Sequence, residues 1–514
     1  MKSIDDLECI RQKLQCELDS AKTQAERNVM GQFATPPALA KEIAMFAKKN
    51  IATRSKVRFL DPAIGTGSFF SALLSTFPSG RIDQALGYEI DAHYGRPAKK
   101  MWAKTQLDYQ LADFTCQTPP EEREKYNLVI CNPPYVRHHH LNDQKNHLQE
   151  KALAAANMKL SGLSGLYCYF IALAHPWMKK NGTAIWLLPS EFMDVNYGGP
   201  VKEYLLNNVT LLQIHRFNPK DVQFDDALVS SVVVLFKNAK PDANHRVKFT
   251  FSGSLECPLH EKFVESSALA IEKKWTRFPL SETRFKTHTP KLSDFFEVKR
   301  GIATGDNKFF VMPREQIEIR GLPIEQFRAI LPSPRYLDTT KIDADKNGLP
   351  DLEQQLFVLD CKLPMDEIKC TYPALYAYLK KGVSAGVAER YLCKNRKVWY
   401  SQEVRSASKF YCTYIGRTDL DNKNPFRFIL NHSKAIVSNS YLILYLKPQF
   451  ACQIEKAPEL DEQLHRALNN ITVKSLLDEG RVYGGGMHKL EPRELANVSA
   501  SEVARLLQHI ATAH

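Results

Sequence analysis

Five apolar positions near the start of the chain, Ile4, Leu7, Ile10, Leu14 and Leu18, recur at spacings of three and four. That spacing lines one face of a helix. It predicts a single helical arm over residues 1–30, packed on its own domain. Beyond it, short apolar runs rich in β-branched residues lie at 57–60, 85–90, 128–131, 184–188, 211–214 and 232–236. Helical patterns separate several of them, as at 165–180, and the pair Pro36-Pro37 after Thr35 is a good helix start. Strands alternating with helices predict a mostly parallel sheet covered on both faces. Ligands then bind at the carboxyl ends of the strands. Residues 246–290 are weakly periodic and read as a connection, and from 291 to 514 short strand-like runs such as FRFILN and SYLILYLK mix with turns, with helices late. The expected architecture is an α/β catalytic domain over 31–245, built on a Rossmann-like, mostly parallel sheet of seven strands, and an α+β domain over 291–514.

Composition narrows this only slightly. At 514 residues, with 44% hydrophobic and 25% charged, the chain has ample core for two to four domains and is neither disordered nor fibrous. No run approaches the roughly 18–20 apolar residues of a membrane span. The charged start MKSIDDLECIRQ has no apolar signal region. Eleven cysteines without a CxxC pair argue against a zinc ribbon or a disulfide framework, and predict free thiols in a reducing cytoplasm. The balance of 69 basic and 57 acidic residues, +12 net, suits an anionic partner. From Lys394 to Lys447 ten basic residues face three acidic ones, interleaved with Trp399, Tyr400, Phe410, Tyr411, Tyr414, Phe426 and Phe428. Most of these aromatics read as the core of a small β-rich domain, with the cations free for phosphates.

The sharpest chemistry is Asn132-Pro133-Pro134-Tyr135, directly after the strand YNLVIC. Two prolines stiffen the loop and remove two backbone donors, so carbonyl oxygens can face a ligand amine without competition. The Asn side chain adds an acceptor and Tyr a flat face, which suits a planar ring bearing an NH2 group. A second motif, FLDPAIGTGSF (59–69), runs from strand through Asp61 and a Gly-x-Gly turn into a helix. Full GxGxxG and P-loop patterns are absent, and Asp61 would repel phosphate but suits a cationic or amine-bearing ligand. A third, GYEID (87–91), ends the next strand with Glu89, where an acidic residue commonly takes ribose hydroxyls. A fourth, Ala112-Asp113-Phe114, offers a carboxylate and an aromatic face. Each is bland alone; an Asp in a loop is usually only solvated. Their order carries the signal.

In that order, preceded by GQFATPPALA (31–40), the motifs resemble those of the gamma-class adenine-specific DNA methyltransferases, and the chain is similar to the TaqI methyltransferase. The resemblance covers about 28–240 and extends weakly to 292–310 and 484–495. It implies S-adenosyl-L-methionine as methyl donor, with Thr35, Asp61, Ala63 and Gly65 around its methionine part. It implies Glu89 on the ribose, Asp113 on the adenine amino group, and Phe114 with Phe170 against the ring. Asn132 and the Pro133 carbonyl, in the loop with Pro134 and Tyr135, would each accept one N–H of the target amine. That draws the nitrogen towards a tetrahedral shape and aims its lone pair. Cys131 reads as a strand residue rather than a nucleophile. Adenine in a duplex must be extruded, and Tyr135 and Phe224 are the expected stacking partners. The run His138-His139-His140 beside Arg137 lacks metal-ligand spacing and reads as a loop facing DNA or solvent, so no metal is expected. Gly484-Gly485-Gly486 reads equally as a plain turn or a loop approaching DNA.

The expected function is therefore a cytoplasmic, site-specific methyltransferase acting on adenine N6 in double-stranded DNA by base flipping. It would be the modification half of a restriction–modification system, whose counterpart would be a separate restriction endonuclease. The C-terminal domain would read the target, and no membrane is involved. Two competing readings are a methyltransferase of RNA or protein glutamine, and a non-catalytic DNA-binding specificity protein. The early TPP motif and large C-terminal domain weigh against the first. The intact Asp61, Asp113 and Asn132–Tyr135 set weighs against the second.

Overall fold

The buried positions of each core strand alternate between two separate hydrophobic clusters. Phe59, Leu128, Ile130, Ile185, Leu187, Val233 and Leu235 face one cluster. Leu60, Val129, Trp186, Leu188, Val232 and Val234 face the other. A strand buried on both sides must lie in a sheet with a layer on each face. The computed structural model describes residues 3–136, 145–218, 230–280, 289–417, 424–451, 457, 459–483 and 486–511. The chain divides into two compact units, Met1–Arg284 with Tyr483–Gly485, and Phe285–Val482 with Gly486–His514.

The first unit is built on β1 (Val57–Asp61), β2 (Ile82–Glu89), β3 (Leu107–Leu111), β4 (Tyr126–Cys131), β5 (Met178–Pro189), β6 (Thr210–Arg216), β7 (Ser231–Lys237), β8 (Arg246–Gly253) and β9 (Pro258–Glu265). They form one sheet in the order β3-β2-β1-β4-β5-β7-β6-β8-β9. The pairings are mostly parallel; β7 runs antiparallel between β5 and β6, and β9 antiparallel beside β8. The mostly parallel α/β sheet agrees with expectation, but it has nine strands where seven were expected. Residues 246–265 are strands of the sheet rather than a connection: Val247, Phe249 and Val264 bury against it. β3 escaped the pattern because an edge strand reading LDYQL needs few apolar residues.

The helices follow the same logic. The arm is two helices, not one: α1 (Ile4–Ser20) and α2 (Gln24–Met30). Thr23 and Glu26 form a capping box that starts the second helix afresh. α3 (Pro37–Asn50), α4 (Ser68–Thr76) and α5 (Ala92–Trp102) supply Leu39, Ile43, Phe70, Leu73 and Trp102 to one cluster. α6 (Lys145–Ala156), α7 (Leu166–Ala174) and α8 (Gly199–Asn207) supply the other. The pattern at 165–180 is helical only to Ala174; a 3-10 turn at His175–Trp177 holds Pro176, and β5 starts at Met178.

The second unit has a five-stranded sheet in the spatial order Phe296–Arg300, Tyr441–Leu446, Phe410–Thr413, Phe428–Asn431, Lys341–Ile342. Helices Glu459–Asn469 and Ser501–Ala511 join one of its two cores. Tyr400, Phe410, Tyr411, Tyr414, Phe426 and Phe428 are buried, as expected for core rather than a base-stacking surface. Among the described residues no helix is long and apolar enough to cross a membrane.

Candidate active site

The carboxyl ends of β1, β2 and β4 lie side by side, and the motifs sit there. β1 ends in Asp61, whose Oδ1 accepts from Ala63 N at 3.1 Å. The turn then passes Gly65 and Gly67 into α4. Gly67 is left-handed at φ +94, and a Cβ there would lie 2.6 Å from the Trp102 indole nitrogen. That indole N–H donates to Thr66 O at 2.9 Å, and the Tyr109 hydroxyl donates to Gly65 O at 2.6 Å. Side chains from α5 and β3 thus pin the turn's carbonyls from beneath.

Three carboxylates mark this edge. Asp61 is 1% exposed. Burial pushes its carboxyl up to about 8, against help from Ala63 N and the Cys131 thiol, and the nearby Glu89 charge adds to the rise. Glu89 is pushed up to about 7, again by burial first, although it accepts from Asp91 N at 2.7 Å. Two recessed acids held above their ordinary range favour a cationic or hydroxyl-bearing ligand and reject phosphate. Asp113 instead caps its own turn, accepting from Thr115 N at 2.9 Å and the Thr115 hydroxyl at 2.8 Å. Beside it Phe114 is buried, its ring centroid 5.6 Å from Phe170, 5.6 Å from Tyr88 and 5.4 Å from Trp177. Burial, then the Asp61 charge, holds the Cys131 thiol well above its usual range. A protonated, fully buried thiol is a strand residue and not a nucleophile.

The Asn132 amide is oriented by a segment 99 residues earlier in the chain. Its Nδ2 donates to Phe33 O at 3.0 Å and to Thr35 Oγ1 at 3.2 Å. A backbone carbonyl only accepts, so the nitrogen must face Phe33 and the oxygen must face away. Asn132 Oδ1 is buried and has no hydrogen-bond partner among the described residues. An unmet buried acceptor costs about 1–3 kcal/mol, and here it lies in a loop whose next two residues, Pro133 and Pro134, carry no N–H. The same early segment clamps Tyr135. Tyr135 N donates to Gly31 O at 3.1 Å, the Tyr135 ring lies 5.7 Å from the Phe33 ring, and its hydroxyl donates to Leu187 O at 3.1 Å. Gly31 is left-handed at φ +63, and a Cβ there would come within 2.5 Å of Tyr135 N, so only glycine permits this approach.

The helical arm closes one flank of the site. Arg11 donates to Thr66 Oγ1 at 3.1 Å, and Thr66 Oγ1 donates to Gln15 at 2.6 Å. Lys22 pairs with Asp91, and Gln32 donates to Asp91 at 2.7 Å. Burial tends to raise Asp91, but these two partners outweigh it and hold the carboxyl below its usual range.

Thr35, Asp61, Ala63, Gly65, Glu89 and Asn132–Tyr135 thus converge on one sheet edge, and Phe114 meets Phe170. Arg11, Gln15, Lys22, Gln32 and Phe33 were not anticipated. Phe33 acts through its backbone carbonyl, which no side-chain pattern reveals, and a buried arginine in an amphipathic helix looks like a surface cation. Phe224, Arg137, His138–His140, Gly484 and Gly485 lie outside the described residues. Among the described residues no cluster of three metal-ligating side chains occurs.

Comparison with known proteins gives matches over most of the chain. Residues 72–223 match the Eco57I restriction-modification methylase family, and residues 269–513 match the family described as type II methyltransferase M.Eco57I, C-terminal domain. The chain is 27% identical over 489 residues to type II methyltransferase M.AccI of Acinetobacter calcoaceticus, covering 91% of this chain and 85% of that one. It is 23% identical over 463 residues to type II methyltransferase M.XamI of Xanthomonas campestris pv. amaranthicola, covering 88% and 82%. Among solved structures, the type IIL restriction-modification enzyme MmeI in complex with DNA aligns over 98% of this chain and 73% of that one, with a TM-score of 0.48 and 14% identity.

Proposed function

We propose that this chain, a type II restriction–modification methyltransferase by the family matches over 72–223 and 269–513, methylates the N6 amine of adenine in double-stranded DNA. The order of its motifs, like that of the gamma class and the TaqI methyltransferase, supports the adenine target. The observation that carries the reading is the oriented Asn132 amide, with its Oδ1 buried and unmatched at the sheet edge.

S-adenosylmethionine is the methyl donor and supplies an electrophilic methyl group on a sulfonium. The residues present fit it. Asp61, with the Ala63–Gly65 turn and Thr35, would hold the cationic methionine end; an ammonium beside Asp61 would restore the ionised carboxylate that burial disfavours. Glu89 would take ribose hydroxyls. Asp113 would accept from the adenine amino group, with Phe114 and Phe170 as the apolar wall. Asn132 Oδ1 and Pro133 O would each accept one N–H of the target amine, orienting its lone pair and favouring the tetrahedral nitrogen of the transition state. Tyr135 would stack on the extruded base, a contact worth roughly 1–3 kcal/mol; Phe224 is the second stacking candidate. The second unit would read the sequence, and a separate endonuclease would be the counterpart.

The test is single-molecule sequencing of DNA from a methylation-free host expressing the chain. One short motif modified at adenine is expected. No modified adenine, from folded protein that binds S-adenosylmethionine, would refute the reading and point to RNA or protein substrates.

A further inference from the structure

β6 ends in Arg216, between Val232 of β7 and Phe251 of β8. Its guanidinium carbon lies 4.5 Å from the centroid of the Phe251 ring, which stacks in turn on His260. Arg216 Nε is buried and has no hydrogen-bond partner among the described residues. The nearest carboxylate to act on it, Asp194, is engaged elsewhere: it accepts from the Thr276 hydroxyl at 2.6 Å and from Thr276 N at 3.3 Å. Burial lowers the guanidinium to about 10, outweighing the opposing pull of the Asp194 charge.

Arginines whose donors are met within the protein look different. Arg427 donates to the carbonyls of Leu337 and Pro334 at 2.7 and 2.6 Å. Arg11 is closed by Glu8 and Thr66. Arg216 has instead a flat aromatic support and an Nε without a partner among the described residues, an arrangement that leaves the fork able to meet an outside acceptor. Such a fork matches the oxygens of a phosphate.

Its position names the source. β4 and β6 run parallel and finish at the same sheet edge, three strands apart in the order β4-β5-β7-β6. At about 4.8 Å per strand that is ~14 Å from the end that leads into Asn132. We propose that Arg216 grips a backbone phosphate of the DNA strand that carries the target adenine, close to the extruded nucleotide. The assignment rests on the DNA methyltransferase reading.

The experiment measures DNA binding by the full-length chain against salt concentration for wild type, Arg216→Gln and Arg216→Lys. Duplex oligonucleotides carrying the modified motif are used, intact or with single phosphates neutralised as methylphosphonates. One lost phosphate contact reduces the slope of log K against log salt by about 0.9. Arg216→Gln is expected to show that reduction and a roughly tenfold weaker affinity, while Arg216→Lys keeps most of the slope and cofactor affinity is unchanged in both. One neutralised phosphate near the adenine should remove the difference between wild type and variants. An unchanged slope in folded Arg216→Gln overturns the proposal. If that variant does not fold, a scan in which wild type and Arg216→Lys respond identically at every phosphate overturns it. Wild type that neither binds nor methylates DNA would instead sink the underlying reading.

Discussion

The two units differ in where their shifted carboxylates lie. At the strand ends of the first, Asp61 and Glu89 are pushed up to about 8 and about 7, and Asn132 Oδ1 and Arg216 Nε have no hydrogen-bond partner among the described residues. In the second, the carboxylates whose range is shifted lie nearer the surface, the exposed Glu462 and the part-exposed Asp345 and Glu491, and each is shifted downward by hydrogen bonds or a neighbouring lysine. Some of its internal polar groups also close on one another. Asn431 donates to Ser408 O at 3.1 Å and Ser433 O at 3.0 Å, and accepts from the Ser433 hydroxyl at 2.7 Å. The first unit therefore holds buried acids above their ordinary range at one edge; no described carboxylate of the second is raised, although Gln402 Oε1 and Asp461 Oδ1 are buried there without a hydrogen-bond partner among the described residues. Cost concentrated at one edge is the mark of a site that a ligand completes.

The largest effect should come from Asn132→Ala. Removing one preorganised polar group from a reacting centre lowers turnover about 10²–10³-fold, while cofactor affinity, measured by titration calorimetry, stays the same. Undiminished turnover would show that the unmatched oxygen is incidental. Leu444→Ala tests the other side. Leu444 is fully buried in the second unit's sheet, so the truncation should destabilise by about 2–5 kcal/mol and lower the melting temperature without changing cofactor affinity. A parallel loss of cofactor affinity would break the separation of roles.

Asp61→Asn sharpens the comparison through pH. A carboxyl raised when folded binds its proton more tightly in the folded state, so its contribution to stability is complete below the unfolded value near 3.8 and is lost as pH rises through about 8. The cofactor-free Asn variant should therefore gain stability relative to wild type across that window, seen in denaturant titrations, and lose affinity for S-adenosylmethionine about 10–100-fold. A difference in stability that is flat with pH would contradict the buried-acid account. The smallest effect is Thr35→Val, which removes one of the two acceptors on Asn132 Nδ2. Turnover should fall about 2–10-fold, and Thr35→Ser should restore it; equal loss in both variants would assign Thr35 a packing role.

Much of the first unit was legible along the chain. Apolar runs at β1, β2, β4, β5, β6 and β7 are long enough to betray buried strands, and Asp61 and Glu89 end their strands while Asn132 follows its own, so their place at one edge needs only the rule for parallel sheets. β3, β8 and β9 were hidden because strands nearer the sheet margins keep polar residues on one face, as in the alternation of Arg246 and Lys248 with Val247 and Phe249. The break between α1 and α2 was hidden by an apolar stripe that runs close to a cap.

Sequence alone determined which residue types stand at which strand ends, because short-range periodicity and turn chemistry are properties of neighbouring residues. Tertiary structure decided their chemical state. Phe33 O turns the Asn132 amide from 99 residues away, burial at the sheet edge beside Cys131 and Glu89 lifts Asp61, and pairing with β8 sets Phe251 under Arg216. Orientation, desolvation and partnership depend on which distant groups share a volume, and no local pattern encodes that.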